Sequence, residues 1–117
     1  MNNQAENAIR FNHYRMMWVI VLFDLPTETK EEKKIHAQFR KGLLKEGFTM
    51  FQFSIYARPC GSREVADKFL ARVKKLLPDK GHIGILTITD KQFGSMEIFY
   101  GFERKKPPKM PDQLSLF

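Results

Sequence analysis

Apolar residues along this chain fall into blocks whose spacing alternates between strand-like and helical. Met16 to Phe23, MMWVIVLF, is β-branched, aromatic and continuously apolar, the pattern of a central strand covered on both faces. Asp24 ends the run, and Leu25-Pro26 breaks the ladder. Thr29 followed by Glu32 fits a capping box, a hydroxyl with a carboxylate three residues on, so a helix is expected from there to about Glu46. Ile35, Phe39, Leu43 and Leu44 lie near one of its faces and its lysines largely elsewhere. Gly47 is a natural left-handed stop.

Phe48 to Ala57, FTMFQFSIYA, begins to alternate but slips at Phe51, Phe53 and Ser54. The slip implies a bulge, or two short strands joined tightly. Arg58-Pro59-Cys60-Gly61 reads as a break. Ser62 can cap a second helix, in which Val65, Ala66, Phe69, Leu70, Val73, Leu76 and Leu77 repeat at three and four, the cleanest helical pattern present. Pro78 to Gly81 ends it. Ile83 to Ile88 is a strand expected to be covered on both faces, Thr89 to Gln92 a turn, and Met96 to Tyr100 a further short strand. From Glu103 the chain is charged, Pro-rich and linker-like, closing in the apolar tip Gln113 to Phe117.

The resulting order predicts an α+β fold, a ferredoxin-like βαββαβ sandwich with an extra C-terminal strand. The pattern predicts a flexible extension over residues 1–15, the domain over 16–102 and a basic tail over 103–117. Two helices on one face of the sheet leave the other face bare. A bare apolar face is a dimerisation surface, so a homodimer through the sheet face is expected.

Charge adds a class of partner. Lys and Arg outnumber Asp and Glu by 20 to 13, for a net charge of +7 and a pI near 9.7. Such an excess attracts polyanions, nucleic acid first and an anionic membrane surface second. The basic residues are spread over both helices, the Arg58–Arg63 turn and the tail. That spread suits sequence-independent phosphate contact. Lys30, Lys33, Lys34, Arg58, Arg63, Arg72, Lys75, Arg104, Lys105 and Lys106 are the candidates, against the plainer reading of a solvated surface. A single cysteine, Cys60, forbids an internal disulfide and fits a reducing cytoplasm. The longest apolar run is far short of the ~20 residues of a membrane span, so no membrane association is expected.

His13, His36 and His82 lack ligand spacing, and neither a Gly-rich phosphate loop nor a nucleophile elbow is present. Asp24 stands out. A carboxylate fixed at the end of a buried strand can serve as an oxygen ligand to Mg²⁺, or simply cap the next turn. One carboxylate makes a weak site, but two-fold symmetry would bring a second copy to it.

The blocks WVIVLFDLP, GFTMFQFSIYARPC, HIGILTITDKQF and MEIFYG, in this order and spacing over Met16 to Gly101, resemble the CRISPR-associated Cas-two family, the small subunit of spacer acquisition. Gln52-x-Ser54 and the Thr89-x-x-Gln92-Phe93 turn are among its most specific parts. The Leu114-Ser115-Leu116-Phe117 tail is similar to the type II-like subset. The resemblance implies a ferredoxin-like homodimer that bridges integrase (Cas-one) dimers and contacts prespacer DNA. It also implies a Mg²⁺-dependent endonuclease acting on RNA or double-stranded DNA, with Asp24 as metal ligand and catalytic residue. The expected function is therefore a CRISPR adaptation subunit. Two rivals stand beside it: a stand-alone, toxin-like metal-dependent endoribonuclease, and a ferredoxin-like regulatory domain that binds a small molecule.

Overall fold

Strand β1 (Met17–Asp24) is the hub of the molecule, with β3 (Ile55–Cys60) antiparallel on one side and β4 (His82–Thr89) antiparallel on the other. The computed structural model describes residues 16–111. The expected extension, residues 1–15, and the apolar tip Gln113–Phe117 lie outside the described residues. The remaining elements are α1 (Lys30–Lys45), β2 (Thr49–Gln52), α2 (Arg63–Lys74), α3 (Asp90–Gly94), β5 (Ile98–Tyr100) and β6 (Glu103–Lys105). The main sheet has the order β2-β3-β1-β4. With α1 and α2 on one face, this is the split βαβ arrangement of a ferredoxin-like sandwich.

Local signals set both helices. The Thr29 hydroxyl accepts the Glu32 N–H at 3.1 Å, and the Glu32 carboxylate accepts the Thr29 N–H at 2.9 Å. The capping box is therefore closed. The helix stops at Gly47, whose φ of 87° is left-handed. Ser62 caps α2 by accepting the Val65 N–H at 3.2 Å.

The two-residue period of β1 divides the core. Met17, Val19, Val21 and Phe23 pack with Phe39 and Leu43 of α1 and with Val65, Ala66, Phe69 and Val73 of α2. Each such side chain contributes roughly 1.5–3 kcal/mol when fully buried. Leu44 and Leu77, expected on the apolar faces, are exposed instead. The other face of β1 carries Trp18 and Ile20, buried with Ala57 and Phe93.

That second face corrects an expectation. It is not bare throughout. Thr89 to Gln92 is not a turn but the start of α3, closed by a second capping box between Thr89 and Gln92. The short helix lays Phe93 flat on Trp18, and Met96 and Met110 pack alongside. Among the described residues the face is open from the middle of β4 to the Asp24 end of β1, where Leu86 and Leu22 are 50% and 40% exposed. Nor is β4 covered on both faces. It is an edge strand, with Gly84 and Leu86 exposed.

The Arg58–Cys60 segment is likewise strand rather than break. Pro59 sits opposite Trp18 within β3. The pairing with β2 reaches only Ala57, so no ladder bond is needed from Pro59 on its outer side. The expected slip takes both forms, a register shift between Met50 and Gln52 and a tight Phe53-Ser54 link with Ser54 at φ 64°. Glu103 to Lys105, expected to be linker, pairs with β5 as a separate hairpin.

Candidate metal and nucleic-acid site

Asp24 is the last residue of β1 and is exposed. In the register of β1 and β4 it stands directly opposite His82, with Leu22 opposite Gly84 two pairs along and Ile20 opposite Leu86 four pairs along. Paired residues in an antiparallel sheet share a face, so Asp24 and His82 both lie on the open side of the sheet. They line a shallow groove of about 460 Å³ together with Leu22, Phe53, Ser54 and Gly84.

Two left-handed residues hold this groove. The Ser54 carbonyl accepts the Phe23 N–H at 3.0 Å, tying the β2–β3 link to the end of β1. On the other side Gly81 adopts φ 96°. A Cβ there would clash with Leu25 Cδ2 and lie 2.9 Å from the Asp24 carbonyl oxygen. Only glycine permits that approach, and it fixes the backbone of Asp24 against the loop before β4.

Thr29, not Asp24, caps α1. Among the described residues the Asp24 carboxylate has no hydrogen-bond partner, which leaves its oxygens open to solvent or a ligand. Among the described residues no group of three or more His, Cys, Asp or Glu gathers to hold a metal. One chain therefore offers Mg²⁺ a single carboxylate at Asp24. Mg²⁺ is commonly held by one or two carboxylates with waters and phosphate oxygens, so Asp24 fits as half of a site that a second copy would complete.

The basic candidates divide by what they touch. Lys30, Lys33 and Lys34 are exposed along the start of α1, and Arg63 and Lys75 are exposed at the two ends of α2. Arg104, Lys105 and Lys106 are exposed on and after β6. Arg104 lies 3.6 Å from Glu97, and Lys105 lies 3.9 Å from Glu103. These three line a cleft of about 810 Å³ with Lys109, Met96 and Met110.

Arg58 and Arg72 are occupied within the fold. Arg58 Nε donates to the Glu46 carbonyl at 2.8 Å, at the C-terminal end of α1, and its guanidinium sits 3.5 Å from the centre of the Phe69 ring. Arg72 donates to the Glu46 carboxylate at 3.0 Å and lies over the same ring at 5.2 Å. Together they bind the end of α1 to α2. Cys60 is buried, and burial pushes its thiol up, which disfavours the reactive thiolate.

Sequence reasoning passed over His82 and Gly81. Spacing between histidines holds no trace of a partner across a strand pair. The usable signal lay elsewhere: His82 opens the strand that pairs with β1, and a glycine stands just before it.

The fold and site define a small, basic ferredoxin-like protein with one strand-end carboxylate on an open sheet face. Residues 17–96 match the family described as CRISPR associated protein Cas2. The chain belongs to this family. It is 54% identical over 112 residues to the CRISPR-associated endoribonuclease Cas2 of Flavobacterium psychrophilum, covering 96% of this chain and 97% of that one. The protein of the same name from Parvibaculum lavamentivorans is 46% identical over 101 residues, 86% of this chain and 100% of that one. A solved structure titled "Crystal structure of cas2" aligns over 82% of this chain and 98% of its own, with a TM-score of 0.48 and 21% identity.

Proposed function

We propose that two copies of this chain pair through the open end of the sheet face and serve as the bridging subunit of CRISPR spacer acquisition. In this reading the homodimer joins integrase (Cas-one) dimers and grips prespacer DNA. The observation that carries it is the placement of Asp24 on the same sheet face as the exposed apolar residues Leu22 and Leu86, and in one groove with Leu22 and Phe53. Pairing there would cover the apolar groups and set two Asp24 carboxylates near one axis.

The Asp24 pair would hold Mg²⁺, which when bound supplies positive charge to a phosphodiester and its departing oxygen. Asp24 orients that charge, while Lys30, Lys33, Lys34, Arg63 and Lys75 hold the backbone phosphates without reading bases. The hairpin cations Arg104, Lys105 and Lys106 extend the basic surface. Among the described residues no helix is long and apolar enough to cross a membrane. A cytoplasmic protein is the setting that this reading assumes.

Sedimentation equilibrium tests the pairing. Wild type should run as a dimer, and Leu22→Lys with Leu86→Lys should run as a monomer; a wild-type monomer would contradict the reading. The relatives are named endoribonucleases, which favours a second reading, RNA cleavage by the dimer alone. Cleavage of single-stranded RNA that is lost with EDTA and with Asp24→Ala would support it. Cleavage that Asp24→Ala leaves intact would assign it to a contaminant.

A further inference from the structure

We propose that His82 is a second metal ligand beside Asp24, so that the site whose carboxylates alone would hold Mg²⁺ also takes first-row transition-metal dications, and takes them more tightly. The proposal deepens the reading of Asp24 as a metal ligand and rests on it.

The argument starts from register. Asp24 and His82 are direct partners in the antiparallel β1–β4 pairing. Side chains of such partners leave the sheet on one face with Cβ atoms about 4.5–5.5 Å apart. Both residues are exposed, and both line the same groove. A metal bound at about 2.0–2.2 Å from a carboxylate oxygen and an imidazole nitrogen fits between side chains at that separation. Gly81 pins the backbone at Asp24, one residue before His82, and Ser54 pins the end of β1 from the other side. The two ligands therefore project from a fixed frame rather than from a loop.

Ligand chemistry then decides the ion. Carboxylate, carbonyl and water ligands suit Mg²⁺, whereas imidazole suits Zn²⁺, Ni²⁺, Cu²⁺ and iron. A purely carboxylate site formed by two Asp24 copies would be a hard-oxygen site. Adding His82 turns each half into an oxygen-plus-nitrogen pair, and two apposed copies offer two carboxylates and two imidazoles. Such a set binds first-row dications in the usual order of affinity, with Co²⁺ well above Mn²⁺.

The test uses the full chain with Co²⁺ and Mg²⁺ as probes and reads binding, not cleavage. Co²⁺ is followed by its visible absorption, and both ions by titration calorimetry. Wild type should bind Co²⁺ at least about tenfold more tightly than His82→Gln, since even outer-shell partners of a metal ligand are worth ~10–100-fold. Mg²⁺ binding should be the same in the two. Asp24→Asn should lose both ions. His82→Asp, a two-carboxylate site, should weaken Co²⁺ and strengthen Mg²⁺. Low levels of Mn²⁺ should broaden the imidazole resonances of His82 and spare those of His36. Equal Co²⁺ binding by wild type and His82→Gln would overturn the proposal, and loss of that binding in Asp24→Asn would leave the Asp24 reading standing. Failure of wild type to bind either ion would overturn both.

Discussion

The indole of Trp18 lies flat on the ring of Phe93, with centroids 4.1 Å apart and planes 9° from parallel, while its N–H donates to the Asp90 carboxylate at 2.8 Å. The stack closes one half of the second sheet face. It confines the open apolar surface to the half that ends in Asp24. Phe93→Ala should remove this cover and destabilise the protein by about 3–5 kcal/mol. Trp18 is the only tryptophan, so urea unfolding followed by its fluorescence reads the loss directly, with a red-shifted native spectrum.

Gly81 should resist substitution where Gly94 does not. An alanine at 81 meets Leu25 and the Asp24 carbonyl at a left-handed φ, whereas nothing lies within 4 Å of a Cβ at 94. Gly81→Ala should cost on the order of 1–3 kcal/mol, and Gly94→Ala should be neutral or stabilise by about 0.4–1 kcal/mol. Thermal melts of the two variants check the contrast.

The α1 cap gives a pH prediction. The Thr29 backbone N–H, donating to the Glu32 carboxylate, holds Glu32 below its ordinary value of 4.5. A depressed folded value contributes stability above 4.5, and that contribution disappears as the pH falls through the folded value. The stability difference between wild type and Glu32→Gln should thus be full at neutral pH and shrink below pH 4.5. Thr29→Ala should cost about 1 kcal/mol at neutral pH. Urea titrations at a series of pH values measure both.

The basic residues should separate into two behaviours. Arg58→Ala loses its bond to the Glu46 carbonyl and its place over Phe69, and should destabilise by roughly 2 kcal/mol. Lys33→Ala and Lys34→Ala should leave stability within about 0.5 kcal/mol. If both lysines contact phosphate, their loss should lower the salt slope of duplex DNA binding by about 0.9 per contact. Filter binding across a salt series measures the slope, and an unchanged slope would remove them from the interface.

What the chain revealed in advance follows from where each signal resides. Thr29, Glu32, Gly47 and Ser62 act on their own neighbours, so both helices and their limits were legible. The same local chemistry exists at Thr89 and Gln92, yet a helix as short as α3 presents too few apolar repeats to be recognised. Pro59 reads as a breaker because proline removes a donor. Only the early end of β2 pairing at Ala57 makes that loss harmless. Glu103, Arg104 and Lys105 carry no strand pattern, because the β5–β6 hairpin leaves them exposed. Asp24 was legible from the strand it terminates. His82 was not, because its nearness to Asp24 is created by register between distant segments. Arg58 and Arg72 looked like unpartnered cations because their shared partner, Phe69, lies across a helix packing contact.

The central proposal is that the chain serves integration by bridging, a role that needs the protein itself and not cleavage at Asp24. It is tested most directly by integration of a labelled prespacer into a CRISPR array with the cognate integrase. The reaction would be run without this protein, with wild type and with Asp24→Ala. Integration should be absent without the protein and restored by both forms. Equal integration in its absence would contradict the account, and restoration by wild type alone would make Asp24 part of the integration machinery.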